Sequence, residues 1–549
     1  MKTGHYWACL ALIVVAFLPG RALAEDGGAC PRPTVGMPIA PPPDLSSQDG
    51  VLKVHLNYYT SVDNEGRTLF CFVTPDGKEQ PTLHVWPGDK IDMTVTNMVP
   101  DAPGAPSEVL SNDQTVCGNP TMTITSVNVH FHGVNTSPAC HSDETIFTMI
   151  NSGETFKYTI KIPKDEPPGM YWYHPHVHGT SSTMVEGGAC GAIVVEGIEN
   201  LQPAVVGLPQ RVLLLRDMPL VWTTLGNTSN PAGPAPFWDL SLNYVPVVYP
   251  IYRPSVLKMH AGEKEFWRVV NASANSIFDI QLKYDGVQQP LQIVALDGVP
   301  TGSQDGKHQG TIITQNDILI PPAGRAEFIV TAPSASVKHA QLSTMGIDTG
   351  PLGDSLPARP ISNIELTQDP LDLPVGKHTG PIDARRFAGL ERIKPSITRH
   401  LYFSETFGHA VHKDGGAHTN GAAGVNFFIT VKGEKPKLFD PNDPPAITTT
   451  QGAVEDWIIQ NRAPEVHEFH IHQIHFLLLA INGVPVPKEQ RQFYDTFQVG
   501  YWDQIGKYPS IKVRMDFRGD VVGDFVYHCH ILQHEDGGMM AKIRLLPKT

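Results

Sequence analysis

The sequence predicts an all-β protein made of three consecutive β-sandwich domains, and three observations carry that prediction. The first is composition. Glycine and proline occur 49 times each, whereas charged residues make up only 17% of the chain, a loop-rich balance that suits sandwiches better than helices. The second is a repeat. Gly88, Gly262 and Gly452 each open a run that ends at an asparagine nine residues on: Asn97, Asn271 and Asn461. Between them stand Ile91, Met93 and Val95, then Phe266, Trp267 and Val269, then Val454, Trp457 and Ile459. A turn glycine followed by such a run reads as a strand, and three copies read as a repeated domain. The third is that the domain ends recur. Tyr173-His174-Pro175-His176 precedes Gly187-Gly188 and the run Ala192 to Val195, and Tyr527-His528-Cys529-His530 precedes Gly537-Gly538 and Lys542 to Leu546. The middle copy ends on Pro321-Pro322-Ala323-Gly324 and Ala326 to Val330, with no His-x-His.

In chain order, residues 1–24 read as a secretory signal. Lys2 supplies the positive start, Ala8 to Leu18 the short apolar core and Ala22-Leu23-Ala24 the small-residue cleavage site. The expected location is therefore periplasmic or secreted. Residues 25–50, with Pro41-Pro42-Pro43, read as an extended arm. Domains are expected at 51–200, 201–390 and 391–549. The Pro- and Gly-rich stretch Gly350 to Lys394 reads as a linker, and the polar His412 to Gly424 as a mobile surface loop. No further apolar run reaches membrane-spanning length, so membrane insertion is not expected. The formal charge of −14 without a basic block also argues against nucleic acid as a partner.

The chemistry is concentrated in four histidine clusters. His130-Phe131-His132-Gly133 closes a strand expected over Thr123 to Val129. His174-Pro175-His176 ends the first domain. His467-Glu468-Phe469-His470-Ile471-His472 and His528-Cys529-His530 belong to the third. Period-two spacing puts each His-x-His pair on one side of its strand, ready to converge on metal. At the last cluster Cys529 faces away from His528 and His530, so two different metal centres can be joined by a few covalent bonds. With His534, Met539 and one distant histidine, Cys529 would complete a two-His, one-Cys, weak-Met copper set. His178 and His475 are extra histidines, read as supporting or surface groups. Cleavage of the signal would remove Cys9. If Cys529 binds metal, five cysteines remain, enough for two disulfides and one free thiol. Cys117 and Cys140, on the two sides of the His130–His132 strand, are one expected pair.

Read together, HFHG, YWYHPHVHG, HEFHIH and HCHILQHEDGGMM resemble, in order, the four copper motifs of the three-domain multicopper oxidases. The resemblance covers essentially all of the chain after the signal and implies cupredoxin-like Greek-key domains. It further implies four coppers. His467, Cys529, His534 and Met539 would hold type 1, and His130 and His470 type 2. His132, His174, His176, His472, His528 and His530 would hold the type 3 pair. The second domain would be a copper-free spacer. Glu535 matches a family acid thought to deliver protons, and Asp143 lies where the family often has a second acid. Glu468 departs from the family's usual proline, and at the edge of an outward-facing His467 it could accept a hydrogen bond from a phenol.

The resemblance implies an oxidase that couples one-electron oxidation of a donor to reduction of dioxygen to water. Phenolic and aromatic donors are the leading expectation. Metal ions such as Cu(I), Fe(II) or Mn(II) are the alternative, although the 14 methionines are scattered and form no insert for soft Cu(I). A copper-binding or copper-storage protein without turnover is the reading from another class. Oxygen uptake separates it from both enzymes.

Overall fold

The computed structural model describes residues 28–548 apart from 106, 112–116, 221–234, 378, 380, 381, 384 and 408–423. The leader and almost all of the His412 to Gly424 stretch lie outside the described residues. Each third of the chain folds as a pair of facing β-sheets over its own principal apolar core. Ser181–Glu186 and Leu532–Asp536 are the α-helices among the described residues, and both are short.

The first and third domains build their site-bearing sheets alike. In the first, Thr82–Val85, Gly191–Val195, Gly169–His174 and His130–His132 lie side by side in that order. In the third, Ile447–Thr450, Met540–Leu546, Gly523–Cys529 and His467–Ile471 do the same. The first domain adds Asp44–Ser46 at one edge, and the third adds Thr496–Val499 at the other. Register matches as well: His130 faces His174, and His470 faces His528.

The repeated asparagine explains the three-fold sequence pattern. Lys90–Asn97, Lys264–Asn271 and Val454–Asn461 each run parallel to the opening strand of their domain. The buried asparagine at each end spends its amide on two backbone carbonyls. Asn97 donates to Thr125 and Ile150, Asn271 to Ser276 and Ile320, and Asn461 to Glu465 and Val499. Each side-chain oxygen then accepts the N–H two residues on, from Val99, Ser273 and Ala463. One side chain thus ties three backbone groups that a buried turn would leave unpaired.

Three segments differ from expectation. The Gly350 to Lys394 stretch contains the strand Arg359–Leu366, set between Ser255–Met259 and Ala340–Thr344. Its neighbouring prolines mask a strand that buries Arg359, Ile361, Ser362 and Ile364. The arm is extended but built into the fold: Cys30 is bridged to Cys71, Pro38 pairs with Val256, and Asp44–Ser46 joins a sheet. Thr123 to Val129 is not a continuous strand. It breaks into Thr121–Thr123, a turn, and the short strand His130–His132. That break lets the flanking loops meet, and Cys117 and Cys140 form a disulfide with Cα atoms 5.3 Å apart. Cys190 is the buried free thiol left over.

Candidate metal centres

Eight buried histidines from the first and third domains converge between them. His130 stacks on His472 with ring centroids 3.9 Å apart, and His132 stacks on His470 at 4.1 Å. His174 and His530 approach to 5.5 Å, and His176 and His528 to 5.1 Å. Several triads, among them His130–His132–His174 and His176–His472–His528, hold their donor nitrogens within 4.8 Å of one another.

Whether these residues suit a metal is decided by their hydrogen bonds. His174, His470 and His528 each donate Nδ1–H to a backbone carbonyl, of Pro175, Asp495 and Cys529, at 2.8 Å. His130 donates Nδ1–H to Asp143 at 3.0 Å, and His132 donates Nε2–H to Asp495 at 3.1 Å. With the tautomer fixed, the other nitrogen keeps a lone pair. Nε2 of His130, His174 and His470 and Nδ1 of His132 are buried with no hydrogen-bond partner. Nε2 of His528 faces Nε2 of both His176 and His472 at 3.3 and 3.2 Å. Burial drives the imidazoles of His132, His174, His176, His470, His472 and His530 well below their ordinary pKa, and that of His528 to about 3. A crowd of neutral imidazoles aiming lone pairs at shared points is what metal ions require.

The second group lies on the far side of the same strand. Cys529 Sγ is 3.7 Å from Nδ1 of both His467 and His534, and those nitrogens are 3.0 Å apart. The Glu468 N–H donates to the sulfur at 3.3 Å. Met539, fully buried, is brought alongside because its carbonyl accepts from the Cys529 N–H and its N–H donates to His534. Burial pushes the Cys529 thiol well above, and His534 well below, their usual values. A cation bound among them would favour both the thiolate and the neutral imidazole.

Here the structure corrects two expectations. His467 does not face outward: it opens a strand paired on both sides and is fully buried, while His534, on a short helix against Phe427, is 8% exposed. Glu468 does not sit in a surface pocket either. It lies inside that same doubly paired strand, with both carboxylate oxygens buried and unpartnered, and burial drives its carboxyl well up. Other acids meet the outer edges. Glu405 accepts from His467 Nε2 at 3.0 Å, and Glu465 lies 3.4 Å from His534 Nε2. Burial and the neighbouring Glu405 push Glu465 up to about 10, and Asp354, held by the Trp238 indole N–H, adds to the effect.

Of the remaining acids, Asp143 grips His130, the Phe131 N–H and the Gln473 amide. Glu535 is buried in the Leu532–Asp536 helix with both oxygens unpartnered, and burial, with Asp536 beside it, raises its carboxyl strongly. Of the extra histidines, His475 donates to the Asp297 carbonyl and His178 packs on Phe439. Sequence reasoning missed Asp495, Glu405, Glu465 and Arg325. All four are single charged residues without a spacing pattern, remote in sequence from the groups they touch.

Comparison with known proteins places this geometry. A family model described as "Multicopper oxidase" matches residues 101–200, and a second so described matches 416–548. These ranges contain all twelve candidate ligands. Both site-bearing ends of the chain match the multicopper oxidases. "Multicopper oxidase mco" of Staphylococcus haemolyticus is 23% identical over 473 residues, covering 85% of this chain and 81% of that one. "Laccase" of Haloferax volcanii is 24% identical over 441 residues, covering 75% and 66%. The solved structure of the "Multicopper oxidase from Campylobacter jejuni: a metallo-oxidase" superposes with a TM-score of 0.62 at 22% identity, covering 94% of this chain and 96% of that one. The fold is thereby the cupredoxin-like all-β one, and multicopper oxidases are oxidoreductases that use copper and dioxygen. No helix among the described residues is long and apolar enough to cross a membrane.

Proposed function

We propose that the chain is a four-copper oxidase that draws single electrons from a low-valent metal ion and reduces dioxygen to water. His467, Cys529, His534 and Met539 would hold type 1 copper, and His130 and His470 type 2. His132, His174, His176, His472, His528 and His530 would hold the type 3 pair. Bound copper would supply the one-electron chemistry, accepting electrons at the thiolate centre and passing four of them to dioxygen at the cluster. The protein's part is to connect and insulate. His528, Cys529 and His530 are consecutive, so one residue's backbone separates the two centres. Burial shields both from bulk solvent. Glu535 is the acid we assign to holding a proton for the oxygen site, with Asp143 keeping His130 in place. The N-terminal segment and the two disulfides support export to the periplasm or beyond.

The observation that carries the choice of donor is the acidic edge of the thiolate centre. Glu405 and Glu465 each touch the outer nitrogen of one of its imidazoles, with Asp354 beside them. Crowded carboxylates are relieved by a cation, and their hard oxygens suit Fe(II) or Mn(II) better than Cu(I). The pocket expected for a phenol set Glu468 beside an exposed His467, and both are buried. Aromatic donors remain the second reading, favoured by the 63% exposed Phe407 on the Glu405 strand and by the Haloferax relative's name. Steady-state kinetics with Fe(II), Mn(II), Cu(I), a methoxyphenol and a neutral dye test this. Glu405→Gln and Glu465→Gln should lower kcat/KM for Fe(II) or Mn(II) roughly tenfold to a hundredfold, as loss of a charged contact does, and change the dye little. A phenol that outpaces every metal ion, with no discrimination by either variant, would hand the function to the second reading.

A further inference from the structure

The second domain supplies none of the converging histidines, yet one of its side chains reaches them. Arg325 opens the strand Arg325–Thr331 and is wholly buried where the three domains meet. All five of its N–H donors are used. Nε donates to the Met170 carbonyl at 3.2 Å, Nη1 to the Ala323 carbonyl at 3.0 Å, and Nη2 to the Asp297 carbonyl at 2.9 Å. The remaining two form a bidentate pair with Asp495, Nη1 to Oδ1 at 2.7 Å and Nη2 to Oδ2.

Asp495 in turn touches both halves of the cluster. Its Oδ1 accepts from His132 of the first domain at 3.1 Å, and its backbone carbonyl accepts from His470 of the third at 2.8 Å. A glycine at this junction is equally specific. Gly133, directly after His132, has φ +84°, and a Cβ there would stand 2.6 Å from Arg325 Nη2 and 2.7 Å from Asp495 Oδ2. The glycine of the HFHG motif thus leaves room for the arginine–carboxylate pair.

We propose that Arg325 is a positioning residue for the oxygen-reducing cluster: by fixing the plane of the Asp495 carboxylate it orients His132, and by anchoring that residue it steadies the backbone carbonyl that holds His470, each toward its own metal position. The inference rests on the copper assignment above. A lone buried carboxylate could turn about its own bonds, whereas a fork of two parallel N–H donors fixes its plane. His475, 3.4 Å from Asp495 Oδ2, is a neutral imidazole and cannot replace the guanidinium charge. The second domain is then more than a spacer, because it supplies the counter-charge that aligns ligands from its two neighbours.

The test uses the full copper-loaded protein as wild type, Arg325→Met and Arg325→Lys. Type 2 electron paramagnetic resonance and copper retention against a chelator report on the cluster, and the blue absorption of the Cys529 centre is the internal control for the third domain. Arg325→Met should keep the blue band, shift the type 2 hyperfine splitting, and hold cluster copper on the order of 10–100-fold less tightly, as loss of an outer partner does. Arg325→Lys restores the charge without the fork, so retention should recover in part while the splitting stays shifted. A lower melting temperature with wild-type splitting and retention would overturn the proposal, leaving Arg325 a docking residue only. Should Arg325→Met not fold, a wild-type type 2 spectrum in Arg325→Lys overturns it alone. Wild-type protein that shows no type 2 signal refutes the copper assignment instead, a separate outcome.

Discussion

The first and third domains share sheet order and histidine register, but only the third places a thiol among imidazoles. Continuing the pairing of His130 with His174 and of His470 with His528 sets Val127 where the third domain has His467, and Pro175 where it has Cys529. After the matching glycine pairs, Ala189 stands where the third domain has Met539. The common scaffold therefore aims His-x-His pairs at the interface in both domains, and a handful of substitutions on the opposite face decide whether a second centre exists. The second domain extends the comparison. It keeps the asparagine latch and loses every ligand, yet it contributes Arg325 to the junction. The fold distributes positions, and each domain's residues choose what chemistry occupies them.

The largest effect follows from removing the residue that distinguishes the two domains. Cys529→Ser should abolish the blue band and nearly all turnover while the protein stays folded, because serine is close in size and the site is held by strand pairing on both sides. Absorption and circular dichroism of the same preparation check both halves. A blue Cys529→Ser protein would remove the basis for contrasting the domains.

The two domains were unequally legible in the sequence. His-x-His spacing and the Gly-to-Asn repeat are local periodic signals, and the structure brings those histidines into two groups as expected. Local spacing is silent about which face of a strand meets water. His467 and Glu468 were therefore expected at a surface that pairing on both sides removes. The contacts between Arg325 and Asp495, and between Glu405 and His467, span 170 and 62 residues, and no pattern in either segment announces them. The Cys117–Cys140 pairing was readable because two loops flank one strand, although the strand had to break for the sulfurs to meet.

A second effect compares all three domains. Asn97→Ala, Asn271→Ala and Asn461→Ala each remove two carbonyl partners and one N–H partner in a buried turn. Each should cost about 2–4 kcal/mol, similar in the three domains, as read by calorimetry. If one variant costs far less than the others, the latch is not an equivalent device in every copy.

A smaller effect separates the first domain from the third at its edge. His84 lies on Thr82–Val85 between Glu196, at 2.6 Å, and Asp44 of the added strand, at 3.2 Å. Burial pulls its pKa down, but the hydrogen bonds and charges of Asp44 and Glu196 outweigh this and raise it to about 9. Because the folded pKa exceeds the unfolded one near 6.5, the protonated bridge stabilises fully below about 6.5. That contribution is lost as pH rises through about 9. It should amount to roughly 1–3 kcal/mol after solvent screening. Denaturation at pH 6 and pH 10 should show the loss in wild type and a flatter profile in His84→Gln. An unchanged slope would mean that the added strand is held by backbone pairing alone.

The smallest effect sharpens the comparison by trying to erase it. Pro175→Cys places a thiol where the third domain has Cys529, and the new N–H would face Ala189, by continuation of the pairing of Tyr173 with Gly191. In the third domain the matching N–H donates to the Met539 carbonyl at 3.1 Å, so the backbone can accept the change at a cost of about 1 kcal/mol or less. No second blue centre should form, because the facing positions are Val127 and Ala189, which offer no lone pair. Copper content and blue absorbance per chain should equal those of wild type. An additional thiolate-to-copper band in Pro175→Cys would show that the sulfur alone defines the centre, and that the missing imidazole and thioether are not what keeps the first domain colourless.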